Sequence, residues 1–336
     1  MKKAAVLSIL IAAILLAVAG IAEAQQPTKV ARVVYLSLGF PPPQSSPRHR
    51  NTEGFYQGLR EVGYIEGKNL VIEYRYAKGD SKRLPELAAE VVSSKVDLIV
   101  ATSTPAIRAA RQATTTIPIV IHSVGDPVSA DFIGELARPG GNITGVTGVV
   151  PALSGKLLQV LVDSVPGTSR LGVLWRKIPG REALKATEDA ARALEDAARA
   201  LKVRLKFLEV RNNELDKTFI ATTKDRTHGL VLVPHIFFNV HRKQIVELSI
   251  KSRLPVIYWQ REFAEAGGLL AYGPDVAELY RRMGVLAGKV LNGTKPADLP
   301  VEQPTKFEFI INLKTAKQIG LTIPPNVLAR ADKVIK

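Results

Sequence analysis

The chain has 336 residues, enough for two domains of ordinary size, and its 46% hydrophobic and 23% charged content excludes a disordered or fibrous protein. Its formal charge is +15, but the basic residues are spread out, with no dense Lys/Arg run and no interleaved aromatics; the charge reads as a solvated surface, not as a nucleic-acid footprint. Cysteine is absent, which excludes disulfides, a cysteine nucleophile and a cysteine lipid anchor.

The N-terminus departs from the rest. Lys2 and Lys3 precede an apolar run from Ala4 to Ile21, and Ala22-Glu23-Ala24 offers a small-residue cleavage site. That order and size define a secretory signal peptide, residues 1–24. A retained anchor is the alternative, since the run approaches membrane-spanning length. The cleavage site and the polar Gln25-Gln26-Pro27 that follows favour removal. Cleavage takes two lysines and one glutamate and leaves +14. An exported, cysteine-free protein fits a Gram-negative periplasm, free in solution and monomeric.

From Lys29 onward strands and helices alternate with short turns, the pattern of an α/β protein. Strands are predicted at Val30–Leu38, Leu70–Tyr76, Asp97–Ala101, Pro118–His122 and Ile143–Thr147, and helices at Asn51–Val62, Leu84–Ser94 and Pro105–Ala113. A second series starts after Gly148. Its strands are Arg170–Trp175, Val203–Val210, Gly229–Pro234, Pro255–Trp259 and Leu269–Tyr272. Its helices are Leu153–Val162, Glu182–Leu201, Leu215–Asp225 and Val240–Ser252, with a short turn at Arg261–Ala266. A helix at Val276–Leu291, a Pro-rich crossover and a late strand at Phe307–Ile311 complete the chain. Two series this complete cannot share one sheet, so two lobes are expected, with a boundary near Gly148. Pattern alone leaves open which lobe the last segments join.

The helix 182–201 holds a perfect tandem repeat, EDAARAL at 188–194 and again at 195–201. Seven residues turn a helix through about 700°, so the apolar face shifts by only ~20°. Leu184, Ala191, Leu194, Ala198 and Leu201 therefore stay on one side.

No catalytic pattern emerges. The five histidines make no i,i+4 pair, and HExxH, GxSxG, SxxK and GxGxxG are all missing. Gly63–Asn69 resembles a phosphate loop but is one residue short and lacks its Ser/Thr. Neither a metal nor a cofactor is expected. What remains is recognition. In open α/β sheets ligands bind outside the carboxyl ends of the strands. There the first lobe carries Thr102, Ser103, Thr104, Ser123, Gly125 and Asp126; the second carries Pro234 to Phe238 and Tyr258 to Phe263. A cleft with aromatic walls and a few converging polar groups suits a small molecule.

Several longer stretches carry a family likeness. GLREVGYIEGKNLVIEYRYAKGD (58–80), TTTIPIVIHSVGDPV (114–128), ARPGGNITGV (137–146), REFAEAGGLLAYGPD (261–275) and PVEQPTKFEFIINLKTAKQIGLTIP (300–324) resemble the ABC transporter substrate-binding protein family, which includes tryptophan- and tyrosine-binding members. The resemblance runs in order through essentially the whole mature chain. It implies a type I periplasmic-binding-protein fold: two Rossmann-like lobes with parallel sheets joined by a hinge, and a ligand between them. It places residues 28–148 and 273–303 in lobe one, and 149–272 and 304–336 in lobe two. Carried over by position, the contacts are Thr102, Ser103, Thr104, Ser123, Gly125, Asp126, Pro234, Gln260, Glu262 and Phe263. The turn WRKIPGR at 175–181 departs from the family, many of whose members have Asn/Pro-rich turns there. The implied partners are a small solute, possibly an amino acid, and a permease of the inner membrane; a sensory module presenting the solute to a membrane kinase is the alternative. Asp126 is expected to be the principal charged contact, accepting from a ligand ammonium group, although a carboxylate there can also cap the helical turn that follows it.

Overall fold

The computed structural model describes residues 30–41, 49–123, 126–148, 153–177, 181–211 and 214–336. The proposed signal segment, the turn through 42–48, Gly125 and the boundary residues 149–152 lie outside them. The first sheet contains β1 (Ala31–Ser37), β2 (Leu70–Tyr76), β3 (Leu98–Thr102), β4 (Ile119–Ser123) and β5 (Ile143–Thr147). Helices α1 (Arg50–Glu61), α2 (Leu84–Ser93) and α3 (Thr104–Ala113) alternate with them. The strand order is β2-β1-β3-β4-β5, parallel throughout. Every residue of β3, β4 and β5 is buried, as continuous aliphatic runs covered on both faces require.

The second series runs α4 (Leu153–Ser164), β6 (Arg170–Trp175), α5 (Arg181–Leu201), β7 (Arg204–Glu209), α6 (Leu215–Lys224) and β8 (Gly229–Leu232). It goes on through α7 (Ile236–Val240), α8 (Arg242–Lys251), β9 (Val256–Tyr258), α9 (Arg261–Glu265) and β10 (Leu270–Pro274). After α10 (Val276–Leu291) come β11 (Phe307–Asn312), α11 (Leu313–Ile319), α12 (Pro325–Leu328) and β12 (Lys333–Ile335). The second sheet has the order β12-β11-β10-β9-β8-β6-β7. Only the β10–β11 pairing is antiparallel. β11 reaches the sheet from a crossover rather than from a helix laid back along it, so it enters from the opposite end.

Two elements differ from expectation. The helix expected at 240–252 is α8, and a separate short helix, α7, precedes it because the His235 ring nitrogen accepts from the Phe237 amide at 2.9 Å and starts a turn early. The late strand also has a companion, since β12 pairs with β11. In α5 the repeat keeps its register: Leu194 and Ala198 are buried, while Glu188, Asp189, Glu195 and Asp196 are exposed.

The return of the chain is built on glycine. α10 leaves the second sheet and packs its Leu279, Met283 and Leu286 into the core of the first, with Val33, Leu98 and Val120. Gly54 and Gly58 of α1 press against the backbone of Ala277 and Arg281 of α10, and Gly284 of α10 against that of Phe55 and Gly58. A Cβ at Gly58 would sit 1.9 Å from the Arg281 carbonyl, and one at Gly284 would sit 2.1 Å from the Phe55 carbonyl. Only glycine admits this backbone contact. The chain then edges the first sheet, where Thr144 Oγ1 donates to the Leu299 carbonyl at 2.9 Å, before passing to β11.

Candidate functional site

Parallel strands send all their carboxyl ends to one edge, so β1, β3, β4 and β5 present Ser37, Thr102, Ser123 and Thr147 together. At that edge Ser103 adopts φ 89° and ψ 142°, a conformation that costs a non-glycine residue about 1–3 kcal/mol. Its Oγ is buried and has no hydrogen-bond partner. A buried hydroxyl left unpaired costs a further ~1–3 kcal/mol, so strain and an open valence coincide on one residue. Thr104 follows as the first residue of α3, half-buried.

Thr102 and Ser123 are buried more deeply. Thr102 stands beside the Tyr35 and Tyr280 phenols, and burial raises the pKa of both tyrosines. Tyr35 Oη donates to Tyr280 Oη at 3.5 Å, and the His122 ring lies 5.0 Å from that of Tyr280. Burial pushes the His122 pKa down to about 4, so this floor of the edge is neutral at physiological pH.

At Asp126 the geometry is that of the capping alternative. Its Oδ1 accepts from the Val128 amide at 3.0 Å, and its Oδ2 accepts from the Ser129 amide at 3.2 Å and the Ser129 hydroxyl at 2.5 Å. Both oxygens cap their own turn, which is the helix-start role of an Asp before proline.

In the second sheet Pro234 follows β8 and Gln260 follows β9, both half-buried. Phe263 is turned into the core. It is 0% exposed, with its ring stacked on Tyr258 at 4.6 Å and against Trp259 at 5.0 Å. Phe238 is also fully buried, 6.5 Å from Trp259. These rings are the rigid bed beneath the turns. Phe237 lies under the Arg176 guanidinium at 4.2 Å, so the basic turn after β6 covers an aromatic face. Burial and the Arg176 charge bring the His235 pKa down to about 4.

Glu262 follows β9 on the same turn as Gln260. Its Oε2 is buried and unpartnered, and so is the Oδ1 of Asn239 on α7. Asn51, near the start of α1, shows the same feature. Neither asparagine belongs to a motif, so sequence reasoning had no signal for them beyond proximity to strand ends. An ion-pair chain also crosses between the sheets: Arg261 binds Glu308 of β11, and Arg50 of α1 bonds Asp275 at 3.0 Å with Glu308 Oε1 3.8 Å away. A cavity of about 430 Å³ beside Thr168, His228 and Arg253 and one of about 490 Å³ beside Glu278, Arg282 and Lys306 both lie elsewhere. Among the described residues no group of His, Asp or Glu is placed to hold a metal ion.

Two α/β sheets with polar carboxyl edges, joined by crossovers, are the architecture of the type I periplasmic-binding-protein fold. Residues 45–335 match the family described as ABC transporter substrate binding protein, and the chain belongs to that family. A tyrosine-binding protein of Clostridioides difficile is 28% identical over 281 residues, spanning 80% of this chain and 76% of its own. A solved conserved domain protein from Vibrio cholerae shares 25% identity with a TM-score of 0.79, covering 91% of this chain and 100% of that one. An ABC domain from Streptococcus pneumoniae in complex with L-Trp shares 24% identity with a TM-score of 0.77, covering 91% and 99%. The family serves solute binding for ABC transport rather than catalysis, and its members work in the periplasm or outside the cell.

Proposed function

We propose that this chain is a monomeric periplasmic receptor, released by cleavage after Ala24, that holds an aromatic amino acid between its two sheets and delivers it to an inner-membrane permease. Residues 28–148 with 273–303 form one lobe and 149–272 with 304–336 the other. The packing of α10 on α1 and the pairing of β11 with β10 support that division. Thr102, Ser103, Thr104 and Ser123 serve the ligand from one lobe, and Pro234, Gln260 and Glu262 from the other. Closure by hinge motion then presents the loaded form to the permease.

The observation that carries this reading is Ser103, strained and with an unpaired buried hydroxyl at the edge where such sheets bind. Aromatic amino acids are favoured because the printed ligands of the relatives are tyrosine and L-Trp. Calorimetric titration of the purified mature chain with L-tryptophan and L-tyrosine, beside mass spectrometry of small molecules released on denaturation, tests it. Micromolar or tighter binding of either is expected. Binding of neither, with an unrelated solute released, would overturn it.

A further inference from the structure

Two carboxylates stand at the strand ends of the candidate site, and their situations differ. Asp126 uses both oxygens on its own turn. Glu262 does not: its Oε2 is buried, accepts nothing, and makes no ion pair among the described residues. The neighbouring cations are engaged elsewhere. Arg261 donates to Glu308 at 2.7 and 2.8 Å and to Glu265 at 3.0 Å. Arg176 covers Phe237 and donates to the Val210 carbonyl at 3.3 Å. On α7, the short helix that follows the adjacent strand β8, Asn239 Oδ1 is buried and unpartnered too. A carboxylate oxygen and an amide oxygen are both acceptors, so whatever satisfies them must donate.

The two acceptors are also held in place. Each is the immediate chain neighbour of a fully buried ring, Asn239 of Phe238 and Glu262 of Phe263. Both rings pack on Trp259, at 6.5 Å and 5.0 Å. Strands β8 and β9, which lead into these turns, are hydrogen-bonded neighbours. One aromatic cluster thus underlies both turns, and their two acceptors have no donor among the described residues.

We propose that Glu262 is the counter-charge for a ligand ammonium group and that Asn239 accepts a second of its N–H bonds, so the second lobe selects for the amine. This rests on the amino-acid reading above and assigns the ligand's polar ends. The ammonium goes to Glu262 and Asn239, and the carboxylate goes to the Ser103–Thr104 turn, where the ten-residue helix α3 begins. A solute with a carboxylate but no amine would leave both acceptors unpaired.

The test is calorimetry with three probes: L-tryptophan, indole-3-propionate, which lacks the amine, and tryptamine, which lacks the carboxylate, with the tyrosine series run in parallel. The proteins are wild type, Glu262→Gln, Asn239→Ala, and Glu265→Gln as a charge control on an exposed residue. Wild type should prefer L-tryptophan to indole-3-propionate by at least about tenfold. Glu262→Gln should weaken the amino acid by about ten- to hundredfold, the worth of one charge-assisted bond, and leave indole-3-propionate unchanged. Asn239→Ala should lose severalfold for the amine-bearing probes only, and Glu265→Gln should match wild type. A Glu262→Gln protein that keeps wild-type discrimination overturns the assignment while leaving the amino-acid reading intact. Equal wild-type affinity for the amine-free probe does the same. Wild type that binds none of the probes in either series overturns both. If Glu262→Gln melts at lower temperature, Glu262→Asp, which keeps the charge, must restore amine preference for the assignment to stand.

Discussion

Arg261 and Glu308 form a two-point contact in which Nη1 of Arg261 donates to Oε1 at 2.7 Å and to Oε2 at 2.8 Å. Arg261 lies between Gln260 and Glu262 on the turn that follows β9 of the second sheet. The same Glu308 Oε1 is 3.8 Å from Nη2 of Arg50, which belongs to the helix after β1 of the first. One carboxylate therefore ties the turn after β9 to the other half of the molecule.

Glu308→Gln should remove that tie and leave Arg261, only 16% exposed, with Glu265 as its one remaining counter-charge among the described residues. The expected destabilisation is about 1–2 kcal/mol, less than for a fully buried pair because water reaches part of it. A melting temperature lowered by a few degrees would show it. Pairwise coupling with Arg50→Ala, measured in a double-mutant cycle, should be non-zero. Strictly additive effects would mean that Arg50 and Glu308 act independently.

The contact between α1 and α10 predicts a sharp difference between glycines. Gly58→Ala places a methyl 1.9 Å from the Arg281 carbonyl and must push the helices apart, costing about 1–3 kcal/mol or more. Gly134→Ala meets nothing closer than the Pro139 carbonyl at 3.8 Å and should be nearly neutral. Urea denaturation of the two variants should separate them clearly.

The strand-end rule brought out Ser103 and Glu262 because edge geometry depends only on where apolar runs stop. It could not say what each edge residue touches. Asp126 and Glu262 look alike in sequence, one carboxylate after each buried strand, and only coordinates reveal that Ser129 occupies the first and nothing occupies the second. Phe263 misleads for a similar reason, since a ring after a strand end can line a cleft or support it, and stacking on Tyr258 decides for support. The spacing of Gly54 with Gly58 and of Gly284 with Gly288 was visible, but its meaning depended on a partner more than 200 positions away. The fold class depended on none of these contacts. Alternating periodicity and strand length carried it.

For Asp126 the expected outcome is now the reverse of the charged-contact reading. Asp126→Asn should change ligand affinity by less than about twofold, since asparagine caps nearly as well. Asp126→Ala should cost about 1 kcal/mol of stability with affinity preserved in the folded protein. Calorimetry and thermal melts on both variants decide it, and a tenfold loss of binding in Asp126→Asn would restore the ligand-contact role.

His122 predicts a pH dependence. Burial lowers its folded pKa to about 4, below the ordinary value of 6.5, so the fold accepts the neutral ring and resists the charged one. Above pH 6.5 both folded and unfolded states are neutral and nothing is lost. Between 6.5 and 4 the unfolded chain takes up the proton and the folded protein does not, so stability falls as pH falls. The full loss is on the order of 3 kcal/mol, reached near pH 4. His122→Gln should flatten this part of the profile in urea denaturation at pH 7.5, 6.0 and 5.0. An unchanged slope would place the acid sensitivity elsewhere.

The tandem repeat in α5 predicts tolerance of a large deletion. At 21 residues the helix is about 31 Å long, whereas the six-residue strands β6 and β7 that it connects span roughly 20 Å. Removing 195–201 leaves 14 residues, about 21 Å, which matches the strands more closely. The apolar face turns by only ~20°, so Leu194 stays inward and precedes the turn into β7 as Leu201 does now. What is lost is the burial of Ala198 and the contact of Ala197 with Gly155 on α4, 3.4 Å from that glycine's Cβ position. The end of the helix lies at the amino edge of the sheet, opposite Ser103, Asn239 and Glu262. The deletion variant should therefore fold, melt a few degrees lower and bind within about threefold of wild type. Loss of binding in a deletion variant with a cooperative melt would show that the length of α5 sets the position of the turns around Trp175 and Arg176 at the carboxyl edge of the sheet.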